Sequence, residues 1–298
     1  MGAREILKWF GFDGGKAASA MRQLEVVPEA AVEPRLLFDA AARTSFEENG
    51  FIVFKGLISS ERCDAVAGRI AALWRGEDVP PISIDVFLER PDSSRIRMAD
   101  APEEARSLPY KINDMVMHDE TVRGVALDPQ LCTVLREIIK SKPVAIGSLN
   151  FERGSTQQYH TDTLYMPGQT PDGMTAAWIA LEDVNEDAGP LIYYPGSHTI
   201  PLYRFSNGGC NQVSDEMGDY VAYMNGNCAK LGLTPETFLP KKGDVLVWHE
   251  RLYHGGAPIR NPVLTRKSLV VHYWREEHMQ DRPLKAAGGG YYWDRPPL

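Results

Sequence analysis

The chain has 298 residues, 43% hydrophobic and 24% charged: enough apolar material for one large domain with a sizeable core, and not the composition of a disordered chain. A formal net charge of −8, with no run of Lys and Arg to offset it, excludes general binding to nucleic-acid backbones, which needs basic patches. Cys63, Cys132, Cys210 and Cys228 form no C-x-x-C pair, so neither a zinc ribbon nor a redox dithiol is indicated, and reduced thiols in a cytoplasmic protein are expected. The start MGAREILKWFGFDGG has no secretory h-region, and Ile6 stands where a myristoylation signal needs Ser or Thr. No stretch reaches the length of a membrane span.

In chain order, residues 1–45 read as an N-terminal arm, loosely helical over its first 35 residues, with ILKWFGF as a small amphipathic patch. GFIVFKGLI is the first strand. SSERCDAVAGRIAALW follows as a helix capped by Ser59 or Ser60, with Cys63, Val66, Ala67, Ile70, Leu73 and Trp74 on its core face. SIDVFLERPDSSRIRMAD gives strand, turn and strand. DPQLCTVLREIIKSKP gives a helix capped by Asp128 with Pro129 at its first position. After Lys142 short strand-like runs dominate: PVAIGSLNFERG, MTAAWIALEDV, PLIYYPGSH, GDVLVWHERLYHGG and RKSLVVHYW. Helices first and then many short strands predict a mainly β fold with flanking helices, an antiparallel double-sheet jelly roll. The polar, Gly-rich segment 203–240 is expected to be an insertion or lid, with a short helix near TPETF. Residues 284–298 are expected to be a surface tail. The whole chain reads as a single domain.

The stretch QQYHTD places His160 and Asp162 two residues apart, on one face if the segment is a strand. Two His and one carboxylate with open positions is the signature of a non-heme Fe(II) oxygenase. A second His must come from later in the chain, where His198, His249, His254, His272 and His278 are the candidates. His254 is preferred, because the glycines of HGG allow close approach to a small site. His249 reads as a structural histidine at the end of an apolar strand. Twelve residues beyond His254, Arg266 opens a strand and shares a face with Ser268. Arginine suits bidentate capture of a carboxylate, so His160, Asp162, His254 and Arg266 fit an enzyme that binds Fe(II) and 2-oxoglutarate. Arg260 is the rival clamp, but its Pro-flanked loop should face solvent.

The sequence also resembles the phytanoyl-CoA dioxygenase family of iron- and 2-oxoglutarate-dependent oxygenases. The resemblance is carried by GFIVFKGLIS, YKINDM, QQYHTD, AAWIALEDVNEDAGPLIYYPGSH, KKGDVLVWHERLYHGG and TRKSLVVHY, in that order, from about residue 45 to 275. It implies a double-stranded β-helix (the cupin-like jelly roll) in which His160, Asp162 and His254 hold Fe(II) and Arg266 binds the far carboxylate of 2-oxoglutarate with Ser268 nearby. It further implies that Trp178, Lys111 and Gln157 line the cosubstrate pocket. His198 of PGSH reads as structural.

The reaction then couples O2 and decarboxylation of 2-oxoglutarate to succinate with oxidation of a C–H bond of a small molecule, hydroxylation being the default outcome. Desaturation, epimerisation and ring formation use the same site. The carboxylate of Asp162 disfavours halogenation. Arg97, Asn113, Met115 and Tyr165 are the candidate substrate residues. The competing readings are a non-catalytic jelly-roll binding protein and a zinc hydrolase, for which His and Asp ligands would also serve.

Overall fold

The structure, a computed structural model, describes residues 37–166, 170 and 172–296. The amphipathic patch and most of the expected N-terminal arm lie outside these residues. What remains of the arm runs into helix α1 (Ala40–Asn49), which leads to β1 (Phe51–Phe54). Helix α2 (Ser60–Trp74) is capped by Ser59, whose Oγ accepts from the Arg62 amide. The strands β2 (Ser83–Val86), β3 (Ser94–Arg97) and β4 (Lys111–Asn113) follow, then three helices, α3 (Met115–His118), α4 (Glu120–Ala126) and α5 (Pro129–Ile139). Asp128 caps α5 by accepting from the Gln130 and Leu131 amides, the expected arrangement with proline at the first position.

The strand-rich half contributes β5 (Pro143–Phe151), β6 (Met174–Ala180), β7 (Leu191–Tyr193), then α6 (Met217–Lys230), β8 (Glu236–Phe238), β9 (Val245–His249), β10 (His254–Gly256), β11 (Ser268–Arg275), β12 (Leu284–Ala287) and β13 (Gly290–Trp293). The large sheet runs in the order β1-β9-β6-β11-β5-β4-β2-β3, and a small sheet runs β10-β7-β8. This is the expected jelly roll. Strand alternation sorts the two faces of the large sheet. Ala177, Ile179, Val245, Val247, Leu269, Val271 and Tyr273 point to one side and form a core with α2 and α5. Ala176, Trp178, Leu246, Trp248 and Val270 point to the other and pack on Leu191, Tyr193 and Phe238 of the small sheet. The inner face, between the sheets, is where the site lies.

Two expectations are corrected. The ETF of TPETF is a strand, not a helix: β8 pairs with β7 from Leu191–Phe238 to Tyr193–Glu236, and the helix of the insertion lies earlier, in α6. The 284–298 segment is not a loose tail through its described part. β12 and β13 form a hairpin whose β13 pairs in parallel with β5 through Tyr291–Val144 and Tyr292–Ala145, and Tyr292 is buried under the Arg123 guanidinium at 4.1 Å. Among the described residues no helix is long and apolar enough to cross a membrane. Tyr292→Ala is expected to cost about 3 kcal/mol, typical of removing a buried aromatic ring. It should lower the denaturant midpoint at unchanged slope. A change within about 0.5 kcal/mol, as at an open surface position, would return the segment to a tail.

Candidate functional site

His160 and His254 face each other across an isolated β-bridge. The His160 amide donates to the His254 carbonyl at 2.8 Å and the His254 amide donates back at 2.9 Å, which brings the two rings to 4.4 Å between centroids. Gly255 and Gly256 make this approach possible: a Cβ on Gly255 would lie 2.9 Å from the Gln157 carbonyl, and one on Gly256 2.9 Å from the Thr156 amide. The segment is not the simple strand expected. Beyond the bridge, the Asp162 amide turns to the Glu250 carbonyl and Asp162–Leu164 form a 3-10 turn. The side chains still converge. Donor atoms of His160, Asp162 and His254, all buried, lie within 4.8 Å of one another.

The ring tautomers follow from the backbone. His160 Nδ1 is 2.8 Å from the carbonyl of Gln158, and His254 Nδ1 is 2.9 Å from the carbonyl of Leu252. Each contact requires Nδ1–H, which leaves the Nε2 lone pair free to bind a metal. Burial, with His254 beside it, pushes His160 down to about 3, so its ring is neutral at physiological pH. Burial resists ionisation of Asp162, but His254, His272 and His160 around it outweigh that and hold the carboxyl below the usual range. Its Oδ2 accepts from Trp248 Nε1 at 2.8 Å. Its Oδ1 is 3.7 Å from His254 Nε2 and 3.9 Å from His160 Nε2. The indole occupies one oxygen and the other faces the histidines. His/His/Asp with a tautomer-fixed histidine pair suits a divalent transition metal.

Beside this cluster Arg266 is fully buried. Nη1 donates to the Gly189 carbonyl at 3.0 Å, Nε has no partner, and the guanidinium lies 5.5 Å from the Phe151 ring and 5.6 Å from Trp178. No carboxylate among the described residues pairs with it. Burial pulls its pKa down to about 10, so it stays cationic at neutral pH. A buried cation without a counter-charge is costly unless an anion is supplied. The cavity it lines, about 50 Å3, also contains Trp178, Gln157, His160, Asp162 and His254. The donor set and the orphaned cation together fit a metal and a dicarboxylate. Arg260, in contrast, is exposed and pairs with Asp187 at 2.6 Å.

The small cavity shares walls with a larger one of about 860 Å3. Asn113 and Tyr165 line the larger cavity as expected. Arg97 and Met115 do not: Arg97 points to solvent and pairs with Asp100, and Met115 is buried in the helix-side core. Lys111 lines the larger cavity rather than the Arg266 pocket, 3.3 Å from Asp85. Ser268 is fully buried with its hydroxyl unpartnered and is not at the pocket wall. His249 is a satisfied structural histidine, with Nε2 3.1 Å from Asp172 and Nδ1 accepting from the Arg251 amide. His198 lies outside both cavities, with Nε2 3.1 Å from the Glu47 carbonyl. The 203–240 insertion contributes no described residue to either cavity. Its α6 instead supports the ligand segment, with Tyr220 Oη accepting from the Thr161 amide at 3.1 Å.

Two residues at the centre were given no site role from the sequence: Trp248, and His272, which stood only among the candidate second histidines. His272 Nε2 is 3.7 Å from Asp162 Oδ1, and the ring lines both cavities. Its signal was available, because 266, 268, 270 and 272 share one face of a strand. A register shift on β11 directly after His272 marks the place, as bulges next to sites do.

The family described as "Phytanoyl-CoA dioxygenase (PhyH)" matches residues 46–268. The peroxisomal phytanoyl-CoA dioxygenase of Rattus norvegicus is 27% identical over 246 residues, covering 78% of this chain and 67% of that protein. Phytanoyl-CoA dioxygenase domain-containing protein 1 of Danio rerio is 23% identical over 190 residues, 53% of this chain and 65% of its own. Among solved structures, EctD from S. alaskensis superposes with a TM-score of 0.59 at 16% identity, over 87% of this chain and 82% of its own. The epimerase SnoN, in complex with Fe3+, alpha ketoglutarate and nogalamycin RO, gives 0.57 at 16% identity, over 86% and 100%. Those two likenesses establish the fold, and the match over residues 46–268 establishes more: the chain belongs to the phytanoyl-CoA dioxygenase family and is an Fe(II)/2-oxoglutarate-dependent oxygenase.

Proposed function

We propose that this oxygenase hydroxylates a small molecule bound in the 860 Å3 cavity, with His160, Asp162 and His254 holding the iron and Arg266 the far carboxylate of 2-oxoglutarate. The observation that carries the reading is the buried, unpaired Arg266 beside a tautomer-fixed His/Asp/His cluster. When bound, Fe(II), O2 and 2-oxoglutarate supply oxidation of a C–H bond coupled to decarboxylation to succinate. This chain's residues do the rest. The Gln158 and Leu252 carbonyls aim the two Nε2 lone pairs. Trp248 engages Asp162 Oδ2, which leaves Oδ1 to the metal side. Trp178 and Phe151 flank the guanidinium and keep it dry, where a charge-assisted pair is strongest. His272 and Gln157 stand where the two cavities meet. Cytoplasmic residence belongs to the same proposal and is supported by four unpaired cysteines.

Succinate formation from 2-oxoglutarate, dependent on Fe(II) and O2, tests the reaction class; purified protein that makes none under any iron loading would sink it. His254→Ala should abolish Fe(II) binding in calorimetric titration, and His249→Ala should retain it. The reverse pattern would reassign the ligand. Arg266→Ala is expected to raise the 2-oxoglutarate requirement by roughly one to three orders of magnitude, from about 2–5 kcal/mol for one partner of a buried charged pair. Arg266→Lys should recover only part of this. An Arg260→Ala defect with a normal Arg266→Ala enzyme would transfer the role. Trp248→Phe should weaken Fe(II) affinity about 10- to 100-fold while the fold persists, as loss of a hydrogen bond to a ligating carboxylate does. Unchanged metal affinity would make Trp248 a packing residue only.

A further inference from the structure

Strand β11 continues past the metal-ligand cluster. It stays in register with β6 as far as Trp274–Met174, so Trp274 shares the face of His272 and lies about 6.5 Å further along, on the side away from Arg266. On β5 the register shift leaves Ile146 as an extra residue between Ala145 and Gly147, and such a bulge re-aims side chains. Ile146 turns into an apolar cluster with Val144, Met174 and Met279, on which Met166, Trp274 and Trp293 pack. Ile146, Met166, Trp274 and Trp293 also line the larger cavity, which therefore has an apolar wall beyond His272. Trp293 comes from β13. Arg282 lies over both indoles, 5.6 Å from Trp274 and 5.3 Å from Trp293, and Arg295 lies 4.9 Å from Trp293. Arg295 in turn pairs with Asp114, directly after β4, and Lys285 pairs with Asp294 at 2.9 Å across the hairpin. The family match stops at residue 268, so Trp274, Trp293 and Arg295 all lie outside it.

We propose that Trp274 and Trp293 are specificity-determining residues that receive a flat aromatic ring of the substrate, and that the Arg295–Asp114 pair is the clasp that holds this wall in place. The inference rests on the reading of the larger cavity as the substrate site. Large, stiff rings offer contact area at a small conformational cost. The guanidinium groups of Arg282 and Arg295 hold the two indoles further, so the wall is pre-organised before a ligand arrives. An aromatic partner gains from offset or edge-to-face contact beyond the area it buries, and a saturated ring of the same skeleton does not. Arg295 touches Trp293 and Asp114 and acts through the indole, as a positioning residue.

The test uses the full chain under anaerobic conditions with Fe(II) and saturating 2-oxoglutarate, so that no turnover occurs. The probes are naphthalen-2-ylmethanol and its fully saturated counterpart decahydronaphthalen-2-ylmethanol, titrated by calorimetry. Both are neutral and share one skeleton, and the saturated probe carries at least as much apolar surface, so burial alone does not favour the flat one. The expected result is that the naphthyl probe binds about three- to tenfold more tightly. Trp274→Leu/Trp293→Leu should bring the two probes to about equal affinity while the saturated probe still binds, which shows that the cavity is intact. Trp274→Phe/Trp293→Phe should keep part of the preference. Trp293→Leu alone should lower it about twofold, and this keeps the test in force should the double leucine variant not fold. Arg295→Gln should lower the preference while the saturated probe binds within about twofold of wild type, a split that a general loss of stability would not produce. A saturated probe that binds as tightly as the flat one, a preference that survives the leucine substitutions, or no binding of either probe would overturn the proposal. A preference unchanged in Arg295→Gln would overturn the clasp. The charge-transfer absorption of the Fe(II)/2-oxoglutarate complex, read in the same samples, reports separately on the oxygenase reading, so failure of one is not mistaken for failure of the other.

Discussion

A guanidinium buried without a counter-charge is the feature on which the site depends. Arg266 is enclosed by Phe151 and Trp178 and has one backbone carbonyl as its polar partner. Such a group weakens a fold unless something else brings the opposite charge. The jelly roll tolerates it because the position opens onto a metal-ligand cluster, where an incoming dicarboxylate can reach both. Replacing Arg266 with an apolar residue would suit the core better and would remove the reason for the pocket.

The architecture follows from how the inner face is divided. Strand alternation gives the helix side a continuous apolar surface, so α2 and α5 hold the large sheet rigidly from outside. The inner face can then carry polar groups at Arg266, Ser268 and His272 of β11's line, and Trp248 on β9. The candidate metal ligands come from the joins between elements: a β-bridge, the first residue of a 3-10 turn and the start of β10. Backbone bonds hold these joins at both ends, through His160 with His254 and Asp162 with Glu250, and α6 braces them through Tyr220. The insertion that sequence composition marked as a lid acts on the site through these contacts.

The sequence made the jelly roll legible because β-rich runs and turn residues alternate regularly after Lys142. The candidate ligands His160, Asp162 and His254 and the proposed clamp Arg266 were legible because their residue types and order match one chemistry. Other parts depend on contacts that spacing does not encode. The tautomers of the histidines are set by carbonyls two residues earlier, the Asp162 carboxylate by an indole from β9. Arg97 does not reach the cavity: Arg95, two residues earlier, lines it and pairs with Asp85, and strand offset against β2 decides which one does. Met115 looked like a pocket residue beside Asn113 but begins a helix that turns it into the core. The C-terminal glycines suggested a tail, and pairing of the following aromatic strand with β5 overrides that.

The central claim is that one compact site binds iron and 2-oxoglutarate together. The most direct measurement is the visible absorption of the anaerobic protein as Fe(II) and then 2-oxoglutarate are added. The account predicts a metal-to-ligand charge-transfer band that appears only when both are present and is absent from His254→Ala. A folded, Fe(II)-loaded protein that shows no band at saturating 2-oxoglutarate would contradict it.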